Sequence, residues 1–371
     1  MRVAVVCPAW PPVPGGVADN AARWTEALIA AGDVEAIVHT GPGAAPAPGY
    51  TLEAGRTAWG WGAAPALAAE IAAGRPDVVV LHYVPHLYQR RGLAVGVGRL
   101  ARLLAGQGLP LVVMAHELYY GRHEALRHQP IGLIQRLVLR PLFTHSRAVV
   151  FSTPDRRARM AAVFPRLAAR FHTIPVGAGL TPATAAEGAA WRRARGLGED
   201  ELALLFQGGF HPSKEIASLT AALEAAGPRA RLVLIGGGAL DHPRVLALGH
   251  VDGAEAGRAL AGCDLALAPF EDGASGRRSS VVNALAAGLP TVSTRGVNTD
   301  PALFPPAAIR LVAPGDPQAF AQAVAALAAD PAARAGLAAG ARQLYAERFA
   351  WPVLAAAWLS ILGEVSKGPA V

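Results

Sequence analysis

Two adjacent arginines, Arg277 and Arg278, stand directly before a predicted short helix, SVVNALAA, in the loop that follows the strand-like run LALAPF. The first turn of a helix leaves backbone N–H groups without intrahelical acceptors and carries partial positive charge. Together with two guanidinium groups, these N–H groups predict an anion site, most naturally for a phosphate or a diphosphate. The alternative is a pair of solvated arginines, with Ser279 or Ser280 only capping the helix.

Lys214 is a second candidate for contact with an anion. Among the 34 basic residues, lysine occurs only at positions 214 and 367, so the chain otherwise carries its positive charge on arginine. Lys214 follows the turn Gly208-Gly209, between a predicted strand and a predicted helix. Its flexible stem and compact ammonium group can reach into a cleft and neutralise a leaving diphosphate. The alternative is an exposed lysine without such a role. The preference for arginine elsewhere in the chain argues against this alternative.

His116 and Glu117 follow the predicted strand Leu111–Met114 and would lie at its carboxyl end. An imidazole placed there can bind a sugar hydroxyl or a phosphate oxygen, and it can act as an acid or a base. His82, at the end of the preceding predicted strand, is a weaker candidate of the same kind. The alternative for His116 is a surface histidine on a loop, since the chain has 11 histidines.

Glycine-rich turns follow other predicted strands. Gly15 and Gly16 precede the first predicted helix, where a backbone without Cβ atoms can approach a phosphate or an acceptor. The G-x-G-x-x-G spacing and the acidic end of the second strand are both missing, so this is no dinucleotide fingerprint. A purely structural tight turn is the alternative. Gly236–Gly238 and His250–Val251 would line a nucleotide through backbone groups.

The elements that position these residues alternate between β-branched apolar runs and alanine-rich helical stretches, which is typical of parallel α/β layers. The predicted strands of the first half are Arg2–Cys7, Val34–Thr40, Asp77–Tyr83, Pro110–Ala115 and Ala148–Thr153. Those of the second half are Ala203–Gln207, Arg231–Ile235, Val245–Gly249, Leu265–Pro269 and Thr291–Thr294. TPATAAEGAA, from residue 181, is the best linker candidate. We therefore predict two doubly wound domains, with ligands beyond the carboxyl ends of their strands, in the cleft between them.

Composition restricts the class of protein. A chain of 371 residues with 52% hydrophobic residues fits two packed domains. The net charge of +7 favours anionic partners, but the basic residues are dispersed without an RNA or zinc signature, which argues against nucleic acid. Cys7 and Cys263 lie in apolar strand-like surroundings and are predicted to be buried free thiols. Without a secretory signal or a long apolar run, we expect a cytoplasmic protein.

The order of these motifs resembles the family-4 glycosyltransferases (GT4), which are retaining enzymes of the GT-B fold. The resemblance runs from Met1 to about Leu362 and includes Gly15-Gly16, His116, the IPVG turn, Lys214, IGGG, GHV and ALAAGLPTVST. It implies two Rossmann-like domains facing each other across a cleft. The closing RFAWPVLAAAW is similar to the family's last helix, which crosses back to the first domain. The expected divisions are 1–180 for an acceptor domain, 189–348 for a donor domain and 349–365 for the closing helix.

The chain departs from the family pattern in the donor loop. Two positions at which the family usually carries glutamates are Ser275 and Asn283, and the family's arginine before the lysine is Gly209. A bacterial subset with a PFxDGxSxRRGS-like loop is similar to this sequence instead. In that subset, Arg277 or Arg278 could supply the missing cationic charge. Asn283 could bind a ribose hydroxyl, and Glu271 or Asp272 could contact the donor sugar.

The resemblance implies transfer of a sugar from a nucleoside-diphosphate donor, UDP- or GDP-linked, to a small-molecule, glycan or lipid-linked hydroxyl acceptor. Lys214, one of the two arginines and the N–H groups around Ser280–Val281 would stabilise the leaving diphosphate. His116 would orient the donor sugar or the acceptor, and no metal or other cofactor is expected. The predicted donor contacts are Gly209, Gly238, Val251, Glu271, Asp272, Gly273, Ser275, Ser279, Ser280, Val281 and Asn283. Gly15, Gly16 and Glu117 are assigned to an acceptor or phosphate loop.

Three alternatives remain open from the sequence. One is a nucleotide-sugar binding protein without transfer activity, suggested by the missing glutamate pair. Another is a non-hydrolysing nucleotide-sugar epimerase on the same fold, although no acid/base carboxylate constellation for it is found. The third concerns arginines that flank apolar helical stretches of the first domain. These arginines either contact an anionic membrane surface or are simply solvated. These arginines are Arg90, Arg91, Arg99, Arg102, Arg122, Arg127, Arg136 and Arg140.

Overall fold

A computed structural model describes residues 1–13, 15–119 and 129–368 of the chain. The chain divides into two compact units. Unit 1 combines Met1–Pro175 with Leu354–Val371, and unit 2 is Val176–Val353. The divisions predicted at residues 180 and 349 lie a few residues from these.

Unit 1 is built on a parallel sheet. Its strands are β1 (Arg2–Val6), β2 (Glu35–His39), β3 (Tyr50–Glu53), β4 (Val78–Tyr83), β5 (Leu111–Ala115), β6 (Ala148–Phe151) and β7 (Phe171–Thr173). They pair in the order β3-β2-β1-β4-β5-β6-β7. Every residue of β4, β5 and β6 is buried, as expected where helices cover both faces of a parallel sheet. The strand order reverses between β1 and β4, which makes this the switch point at which such sheets bind ligands.

Helices connect these strands. They are α1 (Gly16–Ala31), α2 (Ala64–Ala73), α3 (Pro85–Tyr88), α4 (Val95–Gly106), α5 (Gln129–Thr144) and α6 (Pro154–Val163), with 3-10 turns at Trp61–Ala63 and Pro165–Arg170. Leucines of α4 and α5, such as Leu100, Leu104 and Leu139, share one buried cluster with Leu81 and Val113 of the sheet. The apolar spacing of each helix therefore places one stripe on the sheet and leaves the opposite stripe exposed.

Unit 2 has a second parallel sheet. Its strands are β8 (Leu202–Gln207), β9 (Ala230–Ile235), β10 (Val245–Gly249), β11 (Leu265–Ala268), β12 (Thr291–Thr294) and β13 (Arg310–Val312). The order is β10-β9-β8-β11-β12-β13, so the switch point lies between β8 and β11. Its helices are α7 (Ala185–Ala194), α8 (Ile216–Ala225), α9 (Gly253–Gly262), α10 (Ser279–Ala286), α11 (Pro317–Ala329) and α12 (Pro331–Arg348).

The predicted linker from residue 181 is wrong over most of its length, because α7 begins at Ala185. Thr184 and Glu187 form a capping box: the Glu187 N–H donates to the Thr184 hydroxyl at 3.3 Å, and the Thr184 N–H donates to the Glu187 carboxylate at 2.8 Å. Farther along, the Trp191 indole donates to Glu255 on α9 at 2.7 Å. The helix is thus anchored at its start and on its side.

The last helix, α13 (Trp351–Lys367), belongs mainly to unit 1. Trp358 packs edge-on against Trp24 of α1, with ring centroids 5.2 Å apart, and Arg147 donates to the carbonyl of Val365 at 2.9 Å. By length and composition alone, the described segment Pro331–Lys367 contains a stretch able to cross a membrane, with mean hydropathy 1.4. The buried side chains of α13 are those of a helix packed on a protein core.

Candidate active site

The polar centre of unit 2 lies at the switch point of its sheet, where β8 and β11 end. The backbone of Lys214 forms an isolated antiparallel bridge with Phe270, just beyond β11. On either side of that bridge, the Glu215 N–H donates to the Pro269 carbonyl at 3.2 Å and the Glu271 N–H donates to the Ser213 carbonyl at 3.1 Å. The lysine turn and the arginine loop are therefore held together by backbone pairing.

The Lys214 side chain folds back under this turn. Its Nζ donates to the carbonyl of Gln207 at 3.2 Å and lies 4.6 Å from the centroid of the Phe206 ring. Gly208 lies at φ +105°, a backbone conformation that favours glycine. Burial, and secondly the charge of Arg278, lowers the pKa of the Lys214 ammonium to about 8.

Asp272 clamps both arginines of the loop. Arg277 and Arg278 each donate to one of its carboxylate oxygens, and the amide of Asn298 donates to it at 2.6 Å. The Arg278 guanidinium also lies over the Phe270 ring, 4.1 Å from the centroid. Burial alone would favour the neutral acid, but the charges of Arg278 and Arg277 hold the pKa of the Asp272 carboxyl below its usual range. The carboxylate thus stays ionised and fixes both guanidinium planes.

Three buried donors of this loop have no hydrogen-bond partner among the described residues. They are Nε of Arg277, Nε of Arg278 and Oγ of Ser275. A buried donor without an acceptor costs about 1–3 kcal/mol. Three such groups within four residues are typical of a site that an acceptor-rich ligand completes.

The helix after the loop presents its first turn as predicted, with one correction. The N-cap residue of α10 is Arg278, so neither Ser279 nor Ser280 caps the helix and that alternative is wrong. The Val281 N–H donates to the Arg278 carbonyl at 3.0 Å, which occupies one of the N–H groups assigned to the ligand. The N–H groups of Ser279 and Ser280 remain as first-turn donors.

The side chain of Asn283 is buried, and most of its hydrogen-bonding capacity is used by neighbouring protein groups. Its carbonyl oxygen accepts from the N–H groups of Gly179 and Leu180 at 2.9 and 3.2 Å, and its amide donates to Gln207 at 3.2 Å. Only one amide hydrogen is left for the predicted ribose contact, which stays a prediction. The same side chain ties the turn after β7 to α10.

The predicted glycine contacts lie in packed turns. Gly238, at φ +138°, would place a Cβ 2.5 Å from the Phe210 ring, and a Cβ on Gly209 would lie 3.3 Å from the Gly237 carbonyl. Gly273, at φ +88°, would overlap the backbone of Gly296. Val251 packs partly buried at the edge of a core cluster, and Glu271 is exposed.

His116 lies in unit 1, buried at the carboxyl end of β5, so the surface-histidine alternative is wrong. Its Nε2 lies 3.0 Å from Nδ1 of His82, and the two rings stack. Burial, and secondly the charge of Arg156, lowers the pKa of His116 to about 3, and burial also lowers the pKa of His82. Both imidazoles are therefore held in their neutral form, which can donate or accept a hydrogen bond.

The remaining predicted residues of unit 1 are exposed. Gly15 and Gly16 begin α1, and a Cβ would meet nothing within 4 Å at Gly16 and only Ala18, at 3.9 Å, at Gly15. With an extended φ of 167° at Gly15, the fold itself does not require glycine there. Glu117 follows β5 and is exposed. Within the described ranges, no group of three or more His, Cys, Asp or Glu side chains is placed to hold a metal ion.

Sequence reasoning missed two residues that hold this centre together. Asn298 reaches Asp272 from the loop after β12, and Gln207 reaches Asn283 from the end of β8. Neither lies in a motif, so no local signal marks them. Asp272 was singled out, but for contact with the sugar rather than for the clamp.

Residues 201–330, which contain Lys214, Arg277 and Arg278, match the model of a family described as Glycosyl transferases group 1. Solved structures share the fold over nearly the whole chain. A sucrose-phosphate synthase from Thermosynechococcus elongatus has a TM-score of 0.75 at 18% identity, covering 98% of this chain and 99% of that one. HepE from Anabaena, in complex with UDP and glucose, has a TM-score of 0.72 at 15% identity, covering 98% and 100%.

WaaG, a glycosyltransferase involved in lipopolysaccharide biosynthesis, has a TM-score of 0.67 at 17% identity, covering 99% of this chain and 100% of that one. The chain has the GT-B fold. The predicted fold class is therefore confirmed, and at these identities the likeness carries the fold alone. No curated protein matches the sequence. Within the GT-B frame, the family match falls on unit 2 and on its switch-point centre.

Proposed function

We propose that this protein is a retaining glycosyltransferase that moves a sugar from a nucleoside-diphosphate donor to a hydroxyl acceptor without a divalent metal. One observation carries the proposal: Lys214 is packed, partly desolvated, beside the loop that holds Arg277 and Arg278. Asp272 clamps the two arginines, and three buried donors of the loop have no partner among the described residues. A diphosphate would supply both the negative charge and the acceptors.

The donor class is narrowed by a GT-B neighbour. HepE from Anabaena has been solved in complex with UDP-glucose. We therefore propose a UDP-sugar as the first donor to test and a GDP-sugar as the second. The base would lie against the glycine turns after β9 and β10, where backbone groups of Gly238 and Val251 are available to a planar ring.

In the proposed reaction, the bond between the anomeric carbon and the β-phosphate oxygen breaks, and the diphosphate leaves with the electron pair. The acceptor oxygen bonds to the same face of the anomeric carbon, and its proton passes to the leaving phosphate. Negative charge on the leaving oxygens grows through this step. Lys214, Arg278 and the N–H groups of Ser279 and Ser280 would stabilise it as fixed positive groups.

Two further residues are given positioning roles. Asp272 would hold the guanidinium groups of Arg277 and Arg278 in place rather than contact the sugar. His116, as a neutral imidazole held by His82, would orient the donor sugar or the acceptor through a hydrogen bond. Gly15, Gly16 and Glu117 would serve the acceptor or a phosphate.

Metal independence follows from the same charges. Lys214 and the two arginines would perform the neutralisation that a divalent ion performs elsewhere. Turnover is expected to continue unchanged in excess EDTA, and loss of turnover restored by Mg²⁺ or Mn²⁺ would contradict this part. We propose a small-molecule, glycan or lipid-linked acceptor and a cytoplasmic location, the latter in keeping with the buried free thiols of Cys7 and Cys263.

A nucleotide-sugar binding protein without transfer activity is the second candidate. Asn283, which stands where relatives place a glutamate, is occupied by the backbone of Gly179 and Leu180. Incubation with radiolabelled UDP-, GDP- and dTDP-sugars separates the candidates. Slow donor hydrolysis, or transfer to an added acceptor, supports the transferase. Tight binding with neither supports the binding protein, and interconversion of free donors supports an epimerase.

Lys214→Ala tests the proposed role most simply. Loss of a fixed cation at the leaving group is expected to lower kcat by about 100- to 1,000-fold. The matched control is Lys367→Ala, which removes the chain's other lysine and is expected to leave kcat unchanged. A loss of less than about tenfold in kcat for Lys214→Ala would contradict the leaving-group role.

A further inference from the structure

Three elements of unit 1 form one continuous outer surface. α4 packs against α5 and against the 3-10 turn Trp61–Ala63. Two glycines of α4 permit this: a Cβ on Gly96 would lie 2.5 Å from the Trp59 carbonyl oxygen, and a Cβ on Gly98 would lie 2.8 Å from the Pro141 ring. Since α4 joins β4 to β5 and α5 joins β5 to β6, right-handed crossovers place both helices on the same side of the sheet. Their exposed stripes therefore point the same way.

The exposed stripe of α5 is apolar where a helix of a soluble protein is usually polar. Leu133 and Leu137, one turn apart, are 56% and 63% exposed, and Arg140 follows them on the same stripe. On α4, the stripe begins with Val95, which is 40% exposed, and continues through Arg99 and Arg102. Contiguous exposed apolar groups of this kind mark interaction sites.

Trp61 completes the surface. It is 54% exposed, the Arg99 guanidinium lies 5.0 Å from its ring centroid, and Arg99 donates to its carbonyl at 2.8 Å. An aromatic ring stacked with an arginine suits a boundary that is apolar on one side and polar on the other. We name the set the basic face: Trp61, Val95, Arg99, Arg102, Leu133, Leu137 and Arg140.

Arginines dominate the charge of this region. Residues 84–116 and 129–154 contain seven arginines and not one Asp or Glu, and the exposed Glu117 lies between these ranges. Arg90, Arg91, Arg102 and Arg140 are exposed, whereas Arg136 lies over the Tyr119 ring at 4.6 Å. Arg122 and Arg127, which were predicted to belong with them, lie outside the described residues. A surface of leucine, valine, tryptophan and several arginines complements an anionic lipid headgroup layer.

We propose that the basic face docks the protein on an anionic lipid bilayer. Leu133, Leu137, Val95 and Trp61 enter the boundary between headgroups and acyl chains, and Arg99, Arg102 and Arg140 contact lipid phosphates. This proposal stands independently of the catalytic one, because it uses no residue of unit 2.

The test is co-sedimentation of the full chain with vesicles of phosphatidylcholine alone or of phosphatidylcholine with phosphatidylglycerol. The wild type is expected to sediment with the anionic vesicles only, and less so in high salt, because the Debye length shrinks from about 10 Å at 0.1 M to about 3 Å at 1 M. Leu133→Ser with Leu137→Ser is expected to weaken binding by about tenfold or more. Arg102→Gln with Arg140→Gln is expected to weaken it about fivefold for each arginine.

Matched controls lie outside the basic face. Val163→Ser with Val297→Ser removes exposed apolar groups, and Arg166→Gln with Arg193→Gln removes exposed charge; both pairs are expected to bind like the wild type. Thermal melts followed by circular dichroism verify folding, since exposed positions change stability by no more than about 0.5 kcal/mol. Absence of sedimentation with anionic vesicles overturns the proposal. So does equal binding to both vesicle types, or a control pair that weakens binding as much as the basic-face pairs.

Discussion

Each unit carries a polar centre at the carboxyl ends of its parallel strands, and the two centres hold charge in opposite ways. In unit 2, the centre between β8 and β11 holds Arg277 and Arg278 on the carboxylate of Asp272 and places Lys214 in the turn paired with the same loop. In unit 1, His82 at the end of β4 and His116 after β5 form a buried pair that is neutral at physiological pH. The first centre is suited to bind an anion, whereas the second can bind a ligand only through hydrogen bonds.

The carboxyl ends of parallel strands can therefore carry two kinds of polar centre. The degree of burial determines whether the groups of a centre stay charged near neutral pH. Lys214 keeps its proton near neutral pH because its pKa is lowered only to about 8, and the arginines keep theirs at any ordinary pH. The histidines lose theirs because burial outweighs hydration of the imidazolium. The two centres should therefore respond to mutation and to pH in different ways.

After Lys214→Ala, Arg278→Gln is expected to produce the largest effect, and it breaks the charge contrast between the centres. It removes the guanidinium that is both clamped by Asp272 and stacked on Phe270. We expect kcat/KM for the donor to fall by about a hundredfold. Arg229→Gln, at an exposed ion pair of the same unit, is the control and should have no measurable effect. Equal losses in both variants would contradict the proposed role of Arg278.

Asp272→Asn distinguishes positioning from charge. If only net charge mattered, loss of a carboxylate would tighten binding of a diphosphate. Because Asp272 holds Arg277 and Arg278, we expect kcat to fall about tenfold instead, with the donor KM changing less. Asp272→Glu should recover part of the loss. A variant with tighter nucleotide binding and unchanged kcat would show that the clamp is not needed.

The alkaline response of unit 2 sharpens the comparison. Since the pKa of Lys214 is about 8, the free protein loses this cation as the pH rises through that value. Nucleotide affinity measured by calorimetry should hold between pH 6 and pH 7.5 and then weaken as the pH rises through 8, by about tenfold in total, which is the loss expected for Lys214→Ala. In Lys214→Arg, whose charge persists, the weakening should vanish. Persistence of the same pH profile in that variant would assign the titration to another group.

The acid response belongs to unit 1 and is the smallest expected effect. The folded protein holds His82 and His116 neutral. Below their unfolded pKa of about 6.5, the unfolded chain therefore binds more protons than the folded one, and the free energy of unfolding decreases as the pH is lowered. Lowering the pH from 7 to 5.5 should reduce the Tm by about 2–4 °C through this pair. His116→Gln should flatten the dependence. Sugar-donor binding should change little over the same range, and a parallel loss of binding would link the two centres.

Much of the fold was accessible from the sequence. The central strands are continuous β-branched runs, so β4, β5, β8 and β9 were placed to within a residue or two. The edge strands β3 and β13, four and three residues long and partly exposed, carry no such run and were missed. The capping box at Thr184 and Glu187 was readable, but the surrounding Thr, Pro and Ala residues suggested a linker.

The charged residues of the site were predicted from the sequence, but the contacts between them were not. Lys214 and Arg278 stand out by residue type, yet their proximity arises from the bridge between Lys214 and Phe270. The burial of His116 depends on packing around β5, and Asn298 reaches Asp272 across 26 residues of chain. Such contacts are set by tertiary packing, which spacing along the chain does not reveal.

The central claim is that the cation centre of unit 2 binds a diphosphate, and calorimetric titration of UDP against uridine tests it most directly. The wild type is expected to bind UDP at least about a hundredfold more tightly than uridine, because charge-assisted contacts to phosphate add to those of the base. In Lys214→Ala that ratio should fall by about tenfold while the affinity for uridine stays the same. Equal affinities for UDP and uridine in the wild type, or a ratio unchanged by Lys214→Ala, would contradict the account.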